Sequence, residues 1–291
     1  MNAFTIKDLE NISGIKAHTI RMWEQRYNFL KPQRSCTNIR YYSNEELKTL
    51  LNIALLNRYG FKISHIDKMC HSEICAKVLS LQDEEALQER IVMALVSQMI
   101  DMQTDKFEST LQKYIKCHGL EQTIREIIFP FLDKIGILWQ TGHIMPAQEH
   151  FVTNIIRQKI IVAIDAIGPT DGDTSCILYL PEGEYHELGL LFLYYLLKKR
   201  NVRVSYLGAN VPINDIVSIV DTIKPDMAFI HLTSTSPSFN FDRLLNHLGQ
   251  KTASITTVIS GYPTHNYYKP IPETVEFKKS FGEIVEYISV L

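Results

Sequence analysis

Residues 13–27 read SGIKAHTIRMWEQRY, which is a Ser-Gly turn followed by one amphipathic helix. Ile20, Trp23 and Tyr27 recur at helical spacing and form an apolar stripe that can pack on a partner helix. A helix that reads DNA needs such a stripe for docking, together with an N-terminal turn that can enter the major groove. The stretch therefore predicts the second helix of a helix-turn-helix near the start of the chain.

Polar side chains outside this stripe are the candidates for DNA contact. Basic and hydroxyl side chains reach bases and phosphates, and a turn-rich, strand-like segment over residues 33–42 can grip the DNA backbone as a wing. The candidate residues are Lys16, His18, Thr19, Arg21, Arg26, Arg34, Arg40 and Tyr41. We interpret Trp23 as a core residue of this region, because its indole has a large apolar surface to bury.

Capping signals delimit the helices around the quoted stretch. Thr5 is predicted to cap a first helix, and Ser43 with Glu46 three residues later has the spacing of a capping box. Ser64 is predicted to cap one more helix. These signals predict a head domain over residues 1–75.

The head resembles the MerR family of regulators over about residues 4–70. The matching segments are Phe4 to Leu9, Thr19 to Tyr27, Leu30-Lys31-Pro32, Arg34 and Arg40 to Ser43. The resemblance implies a winged helix-turn-helix that binds double-stranded DNA as a dimer at inverted half-sites. It also implies that Arg21, Arg40 and Tyr41 touch DNA. The alternative is a small helical module that binds protein.

The charge distribution agrees with a DNA-binding head. Residues 1–70 hold eleven Lys and Arg against six Asp and Glu, a balance of +5 in a chain whose net charge is −2. A basic head on an acidic body is typical of a phosphate-binding module attached to a soluble sensor. The sequence has no long apolar run and its five cysteines are scattered, so we expect a cytoplasmic protein with no membrane span and no disulfide framework.

Two further regions follow the head. Residues 80–167 show apolar positions at helical spacing with breaks near Gly119 and residues 142–146, which predicts a four-helix bundle. Residues 174–291 alternate strands with helices. The predicted strands are Cys176–Leu180, Val202–Leu207, Met227–Leu232 and Thr256–Ser260. This alternation predicts an α/β, doubly wound, Rossmann-like domain that binds a ligand at the carboxyl ends of its strands.

The loop after the first of these strands contains a candidate metal ligand. It reads Glu184-Tyr185-His186-Glu187-Leu188-Gly189. A neutral imidazole is a suitable ligand for cobalt, and an acidic neighbour can orient its ring. Gly189 would let the next helix start close beside a bulky ring. On chemistry alone, a single histidine in a loop is more often only solvated.

The same loop resembles the Asp/Glu-x-His-x-x-Gly motif of cobalamin-binding domains, through Glu184, His186 and Gly189. The resemblance implies a cobalamin cofactor whose cobalt is bound by His186. A chain that joins a MerR-type head to such a domain is similar to the cobalamin-dependent photoreceptor repressors, which are themselves MerR-type.

A second match to those repressors lies in the helical region. Trp139, then nine residues, then Glu149-His150 resembles their cap motif. In that family these residues cover the upper face of the cofactor and its adenosyl group, and light breaks the cobalt–carbon bond and dissociates a tetramer on DNA. The resemblance thus implies adenosylcobalamin, repression and a homo-oligomer, either dimer or tetramer. The alternative is that Trp139 is a core residue of a bundle helix and Glu149-His150 an ordinary helix start.

The sequence departs from the family patterns at three places. Cobalamin-binding domains usually have Ser-x-Leu after the third strand and Gly-Gly after the fourth. Here the third strand runs through His231 into Thr233-Ser234, whose hydroxyls are predicted to reach the nucleotide tail. The fourth strand keeps one glycine, Gly261, and Tyr262 follows where it can crowd the tail.

The third departure concerns light. The photoreceptors carry a histidine directly after the cap tryptophan, where this chain has Gln140, and His143 lies three residues further on. The favoured hypothesis is a cobalamin-sensing transcriptional regulator that is not an enzyme. Two alternatives stay open. One is a regulator with a degenerate, cofactor-free α/β domain controlled by protein partners. The other is a cobalamin-dependent methyltransferase or mutase component, against which the DNA-binding head argues.

Overall fold

The structure of the chain is a computed structural model that describes residues 4–36, 38–140, 144–233 and 239–291, without the side chain of Gln140. The chain forms two compact units, Met1–Ile155 and Ile156–Leu291. In the described residues, no helix has both the length and the apolar character needed to cross a bilayer.

The first unit opens with short helices and one small strand pair. They are α1 (Ile6–Ser13), α2 (Ala17–Arg26), β1 (Gln33–Arg34), β2 (Arg40–Tyr41), α3 (Asn44–Arg58), α4 (Ile63–Ile66) and α5 (His71–Leu79). The predicted caps at Thr5 and at Ser43 with Glu46 are confirmed, and both are capping boxes. The predicted cap at Ser64 is wrong, because α4 begins at Ile63 with Lys62 as its cap residue.

The interpretation of Trp23 as a core residue is confirmed. Its side chain is 6% exposed and meets Phe29 edge-on at 5.9 Å between ring centroids. Phe4 and Tyr42 are fully buried beside one another, and each donates its amide to the carbonyl of the other, at 2.9 and 2.8 Å. This bridge ties the chain two residues before α1 to the residue that follows β2.

The described part of residues 80–167 consists mainly of helices, which confirms the predicted helical region. The helices are α6 (Glu84–Ile100), α7 (Thr104–His118), α8 (Leu120–Thr123), α9 (Phe129–Gln140) and α10 (Pro146–Ile167). Between α8 and α9 the chain continues as a π-helical segment, Ile124–Ile128. Pro130 at the start of α9 has no amide hydrogen and its ring crowds the carbonyl four residues earlier, so a locally wider turn relieves the clash.

Polar contacts join the head to these helices within the first unit. Lys48 forms an ion pair with Asp101 at 2.6 Å, and Arg58 forms one with Glu89 at 2.6 Å. Lys134 on α9 donates from Nζ to the carbonyl of Ile12, in the last turn of α1, at 2.9 Å. The head therefore packs directly on α6 and α9.

The second unit contains a parallel sheet. Its strands are β3 (Ser175–Pro181), β4 (Arg203–Val211), β5 (Met227–Leu232), β6 (Thr256–Gly261) and β7 (Val275–Lys278). Its helices are α11 (Leu188–Lys199), α12 (Ile213–Ile223), α13 (Phe241–Lys251), α14 (Tyr262–His265) and α15 (Phe281–Ser289). The predicted parallel α/β architecture is confirmed, and β7 is a strand that the sequence analysis missed.

The strand order is β4-β3-β5-β6-β7, which is the doubly wound order 2-1-3-4-5. This order differs from the 3-2-1-4-5-6 order of a dinucleotide-binding Rossmann domain, but both bind ligands where the strand order reverses. Here the reversal lies between β3 and β5. The carboxyl ends of these two strands therefore define the crevice of this unit.

The two faces of the sheet are covered by different helices. Tyr179 and Ile230 point into a core formed with α12 and α13. Side chains alternate along a strand, so His231 points to the opposite face, where it meets α11.

Candidate functional site

The loop that leaves β3 is held by the end of β4. Gly183 adopts a φ of 88°, which a glycine tolerates without strain, and its amide donates to Oδ1 of Asn210 at 2.9 Å. The Asn210 amide donates back to the carbonyl of Glu184 at 3.1 Å. This exchange fixes the backbone of Glu184 at the carboxyl end of the sheet.

Glu184 and His186 form a tight pair in this loop. The Glu184 side chain is 3% exposed, whereas that of His186 is 59% exposed. Oε1 of Glu184 accepts from the amides of Tyr185 and His186, both at 2.8 Å, and lies 2.5 Å from Nδ1 of the His186 ring. The carboxylate therefore fixes both the loop and the orientation of the imidazole.

The electrostatics of the pair favour an ionised carboxylate. Burial alone would raise the pKa of Glu184, but the hydrogen bonds from the ring and amide of His186 outweigh burial and lower it. A carboxylate at Nδ1 sets the tautomer of the ring and directs Nε2 to a metal, which is the usual arrangement at histidine ligands. The geometry thus suits His186 for coordination through Nε2.

Gly189, in the first turn of α11, lies against a ring that belongs to the chain itself. A methyl group built on Gly189 would stand 2.5 Å from Nε2 of His231 and closer still to Cδ2. Nδ1 of His231 lies 2.8 Å from Oγ of Ser260 on β6. Burial lowers the pKa of His231 to about 4, although the charge of Glu184 acts in the opposite direction. Its neutral imidazole lies between α11 and the sheet.

Sequence reasoning did not select His231 as a site residue. The departure from Ser-x-Leu at the end of the third strand could have pointed to His231. An imidazole there replaces a small side chain at the crevice of the sheet.

The remaining predicted tail contacts lie at the ends of β5 and β6. Thr233 is exposed, and Ser234 lies outside the described residues. Gly261 has a φ of 103°, and a side chain there would collide with the backbone of Leu232. Tyr262 is 64% exposed, so its side chain lies mostly in solvent.

The predicted cap residues lie on α9 and on the first turn of α10. Trp139 is 48% exposed, which contradicts the alternative that it is a core residue. His150 is paired with Glu149, with 2.9 Å between Nδ1 and Oε2. The side chain of Gln140 and the whole of His143 lie outside the described part of the chain. About half of the Trp139 side chain is therefore accessible at the surface of this unit.

Most of the DNA-contact candidates are accessible. Lys16, His18, Arg21, Arg26 and Arg34 are exposed, whereas Thr19, Arg40 and Tyr41 are partly buried. The apolar stripe of α2 faces inward through Ile20 and Trp23, so the exposed candidates on this helix point away from the core.

Arg40 is engaged by a residue that the sequence analysis did not select. Nε of Arg40 lies 2.9 Å from Oε2 of Glu24 on α2, and the hydroxyl of Tyr42 donates to Oε1 of the same carboxylate. Burial, reinforced by Glu24, raises the pKa of Tyr42 above its ordinary range. Glu24 thus joins α2 to β2 and holds the Arg40 side chain in one position.

Residues 4–73 match the profile of the MerR HTH family regulatory protein, and residues 91–163 and 175–276 match two profiles of B12-binding domains. The chain joins a MerR-type helix-turn-helix to B12-binding domains. It is 27% identical to the HTH-type transcriptional repressor CarA of Myxococcus xanthus over 91% of this chain and 89% of CarA. It is 26% identical to the repressor CarH of the same organism over 85% of this chain and 84% of CarH.

A solved structure with a similar fold is the monomethylamine corrinoid protein of Methanosarcina barkeri. It has a TM-score of 0.57 at 13% identity and covers 70% of this chain and 100% of its own. At this identity the likeness concerns the fold alone.

Proposed function

We propose that this chain is a transcriptional repressor that binds DNA through its head and senses cobalamin, and that it is not an enzyme. The observation that carries the proposal is the Glu184–His186 pair at the crevice of the sheet, in a chain whose residues 4–73 match a MerR-type head. The names of CarA and CarH, both HTH-type transcriptional repressors, support the regulatory role.

The DNA-binding part of the proposal covers residues 1–75. We assign the β1–β2 pair as the wing and the exposed face of α2 as the surface that enters the major groove. The proposed contacts are Lys16, His18, Thr19, Arg21, Arg26, Arg34, Arg40 and Tyr41. Two heads on inverted half-sites require a homo-oligomer, and we propose a dimer or tetramer in the cytoplasm.

The residues present fit a cobalamin. The His186 ring is 59% exposed and held through Nδ1, so it would serve as a ligand to the cobalt that the cofactor itself carries. Glu184 would hold its ring in place through Nδ1. When bound, the cofactor would supply a cobalt centre whose upper ligand is open to chemical or photochemical change.

We propose that the helices of residues 80–167 act as a four-helix bundle that caps the cofactor bound by residues 174–291. Trp139 would cover its upper face, with Glu149 and His150 beside it, and the exposed indole supports this role. The resemblance of Trp139 and Glu149-His150 to the cap motif supports adenosylcobalamin as the proposed cofactor and light as the proposed signal. Trp139, Glu149 and His150 would make contacts that differ between two states of the bound cofactor, and this difference would bias the assembly of the protein on DNA.

The test is reconstitution of the full chain with adenosylcobalamin in the dark, followed by desalting and an absorbance spectrum. We expect a coloured protein, and for His186→Ala a loss of colour or a spectrum without an imidazole ligand. His247→Ala, on α13 at the other face of the sheet, is the matched control and should bind as the wild type does. A colourless wild-type protein would exclude the cofactor.

A cofactor-free regulator controlled by protein partners is the second candidate. It is favoured by one observation, the His231 ring packed against Gly189 at the crevice. A colourless wild-type protein that still shifts promoter DNA in a gel would favour this candidate over the first.

A further inference from the structure

The imidazole of His231 fills the gap between α11 and β5. A methyl group on Gly189 would stand within 2.5 Å of Nε2, which means that the ring lies directly on the glycine backbone. Because Gly189 has no side chain, the imidazole of His231 can occupy the space beside α11.

A hydrogen bond holds the ring in this position. Nδ1 of His231 lies 2.8 Å from Oγ of Ser260, and the Ser260 side chain is 2% exposed. The serine lies on β6, beside β5 in the sheet, with His231 and Ser260 in register. The ring is therefore fixed on one side by α11 and on the other by β6.

The position of this gap matters for the proposed cofactor. If His186 binds the lower face of a corrin ring, the nucleotide that hangs from that face is displaced and must be accommodated elsewhere. Gly189 lies three residues after His186, at the start of the helix that flanks the crevice between β3 and β5. The gap behind Gly189 is thus the nearest place for a displaced nucleotide, and His231 occupies it.

We infer that His231 is a plug in the nucleotide groove, which must swing out before a corrinoid with a nucleotide tail can bind fully. The inference rests on the proposed function. Entry of the tail breaks the Ser260 contact and removes the ring from α11, so cobalamin binding carries a cost that a tail-less corrinoid avoids. His231 is accordingly a specificity-determining residue for the tail and makes no bond to cobalt.

The experiment compares two corrinoids on four full-length proteins in the dark. Hydroxocobalamin carries the nucleotide and diaquocobinamide has the same corrin ring without it. Both are titrated by absorbance against wild type, His231→Ser, Ser260→Ala and the control His247→Ser, with folding checked by circular dichroism.

We expect His231→Ser to bind hydroxocobalamin about tenfold more tightly than wild type, a factor that corresponds to ~1.4 kcal/mol. Its affinity for diaquocobinamide should stay within about twofold, because the groove is not used. Ser260→Ala should tighten hydroxocobalamin binding by a smaller factor and leave diaquocobinamide binding within about twofold. His247→Ser should match wild type for both corrinoids.

Three results would overturn the inference that His231 blocks the nucleotide groove. One is an equal change for both corrinoids. Another is weaker cobalamin binding by His231→Ser, which would mean that the ring contacts the tail. The third is an unchanged cobalamin affinity for Ser260→Ala, which decides the matter if His231→Ser does not fold. If no protein binds either corrinoid, the proposed function is wrong and the inference falls with it.

Discussion

The contact between Gly189 and His231 predicts that Gly189→Ala destabilises the protein when His231 is present and stabilises it when the His231 ring is removed. In the wild type, Gly189→Ala places a methyl group 2.5 Å from Nε2 of His231, well inside van der Waals contact. Overpacking of this kind costs about 1–3 kcal/mol of the free energy of unfolding. The backbone of α11 itself favours alanine over glycine by up to about 1 kcal/mol.

These two effects separate in a double-mutant cycle. In a His231→Ser background the ring is absent, so Gly189→Ala should stabilise the second unit by up to about 1 kcal/mol instead of destabilising it. The preference of a helix for alanine is the same in both backgrounds and cancels, so the coupling energy between the two positions equals the overpacking cost of about 1–3 kcal/mol. It would be measured by urea unfolding followed by far-ultraviolet circular dichroism and by hydrogen exchange of peptides from α11 and β5.

Tryptophan fluorescence is unsuitable for this cycle, because Trp23 and Trp139 are the two tryptophans of the chain and both lie in the first unit. Gly136→Ala provides a matched control, since Gly136 lies within α9 and a methyl group there meets no atom within 4 Å. It should give the same change in both backgrounds. Equal destabilisation by Gly189→Ala with and without His231 would refute the packing argument.

Three further predictions concern the head and the pH response. Glu24→Ala should lower the stability of the head by about 1–3 kcal/mol, because it leaves the buried Tyr42 hydroxyl without its acceptor. Glu24→Gln keeps an acceptor and should lower the stability by less. Chemical denaturation monitored by Trp23 fluorescence checks both variants. Folding holds the pKa of His231 near 4, below its ordinary 6.5, so the unfolded chain binds a proton that the folded chain excludes. The free energy of unfolding should therefore fall by up to ~3 kcal/mol as the pH drops from about 6.5 to 4. His231→Ser should flatten this part of the plot of stability against pH. A wild-type slope that is steep only above pH 7 would contradict this prediction. Arg21→Ala should weaken promoter binding and reduce its salt dependence, whereas Arg125→Ala, an exposed arginine outside the head, should leave both unchanged in a gel-shift titration.

The elements that the sequence predicted well depend on signals within one turn or one strand. Thr5 and Ser43 cap their helices through residues three positions away, and both caps are present. Met227–Leu232 is a short run that is apolar except for His231, and it forms β5 with those bounds. Val275–Lys278 is only four residues long and alternates apolar with charged side chains, so its strand signal is weak, and it pairs with β6 in the sheet.

The contacts of the candidate sites were also predictable only where their residues are close together in the sequence. The contact of Glu184 with His186 spans two residues, and the sequence motif contains it. Contacts between residues that are distant in sequence were not predictable, because they depend on which strands and helices become neighbours. Glu24 reaches Arg40 across 16 residues, and His231 reaches Ser260 across 29. The first contact restrains Arg40, which was selected as a DNA contact. The second holds the His231 ring against Gly189, which was selected as a cofactor residue.

Within the first unit, one helix connects Trp139, a proposed cap residue, to the head. Trp139 and Lys134 lie on the same helix, α9, five residues apart, which is about 7.5 Å along its axis. Nζ of Lys134 donates to the carbonyl of Ile12, and burial lowers the pKa of this lysine. A cation at the last turn of α1 satisfies a terminal carbonyl and opposes the helix dipole, so it stabilises the helix that packs against α2. Because both side chains project from one helix, we predict that a ligand that shifts α9 at Trp139 also displaces Lys134 and weakens its bond to Ile12. The proposed link between cofactor and DNA therefore needs only one helix.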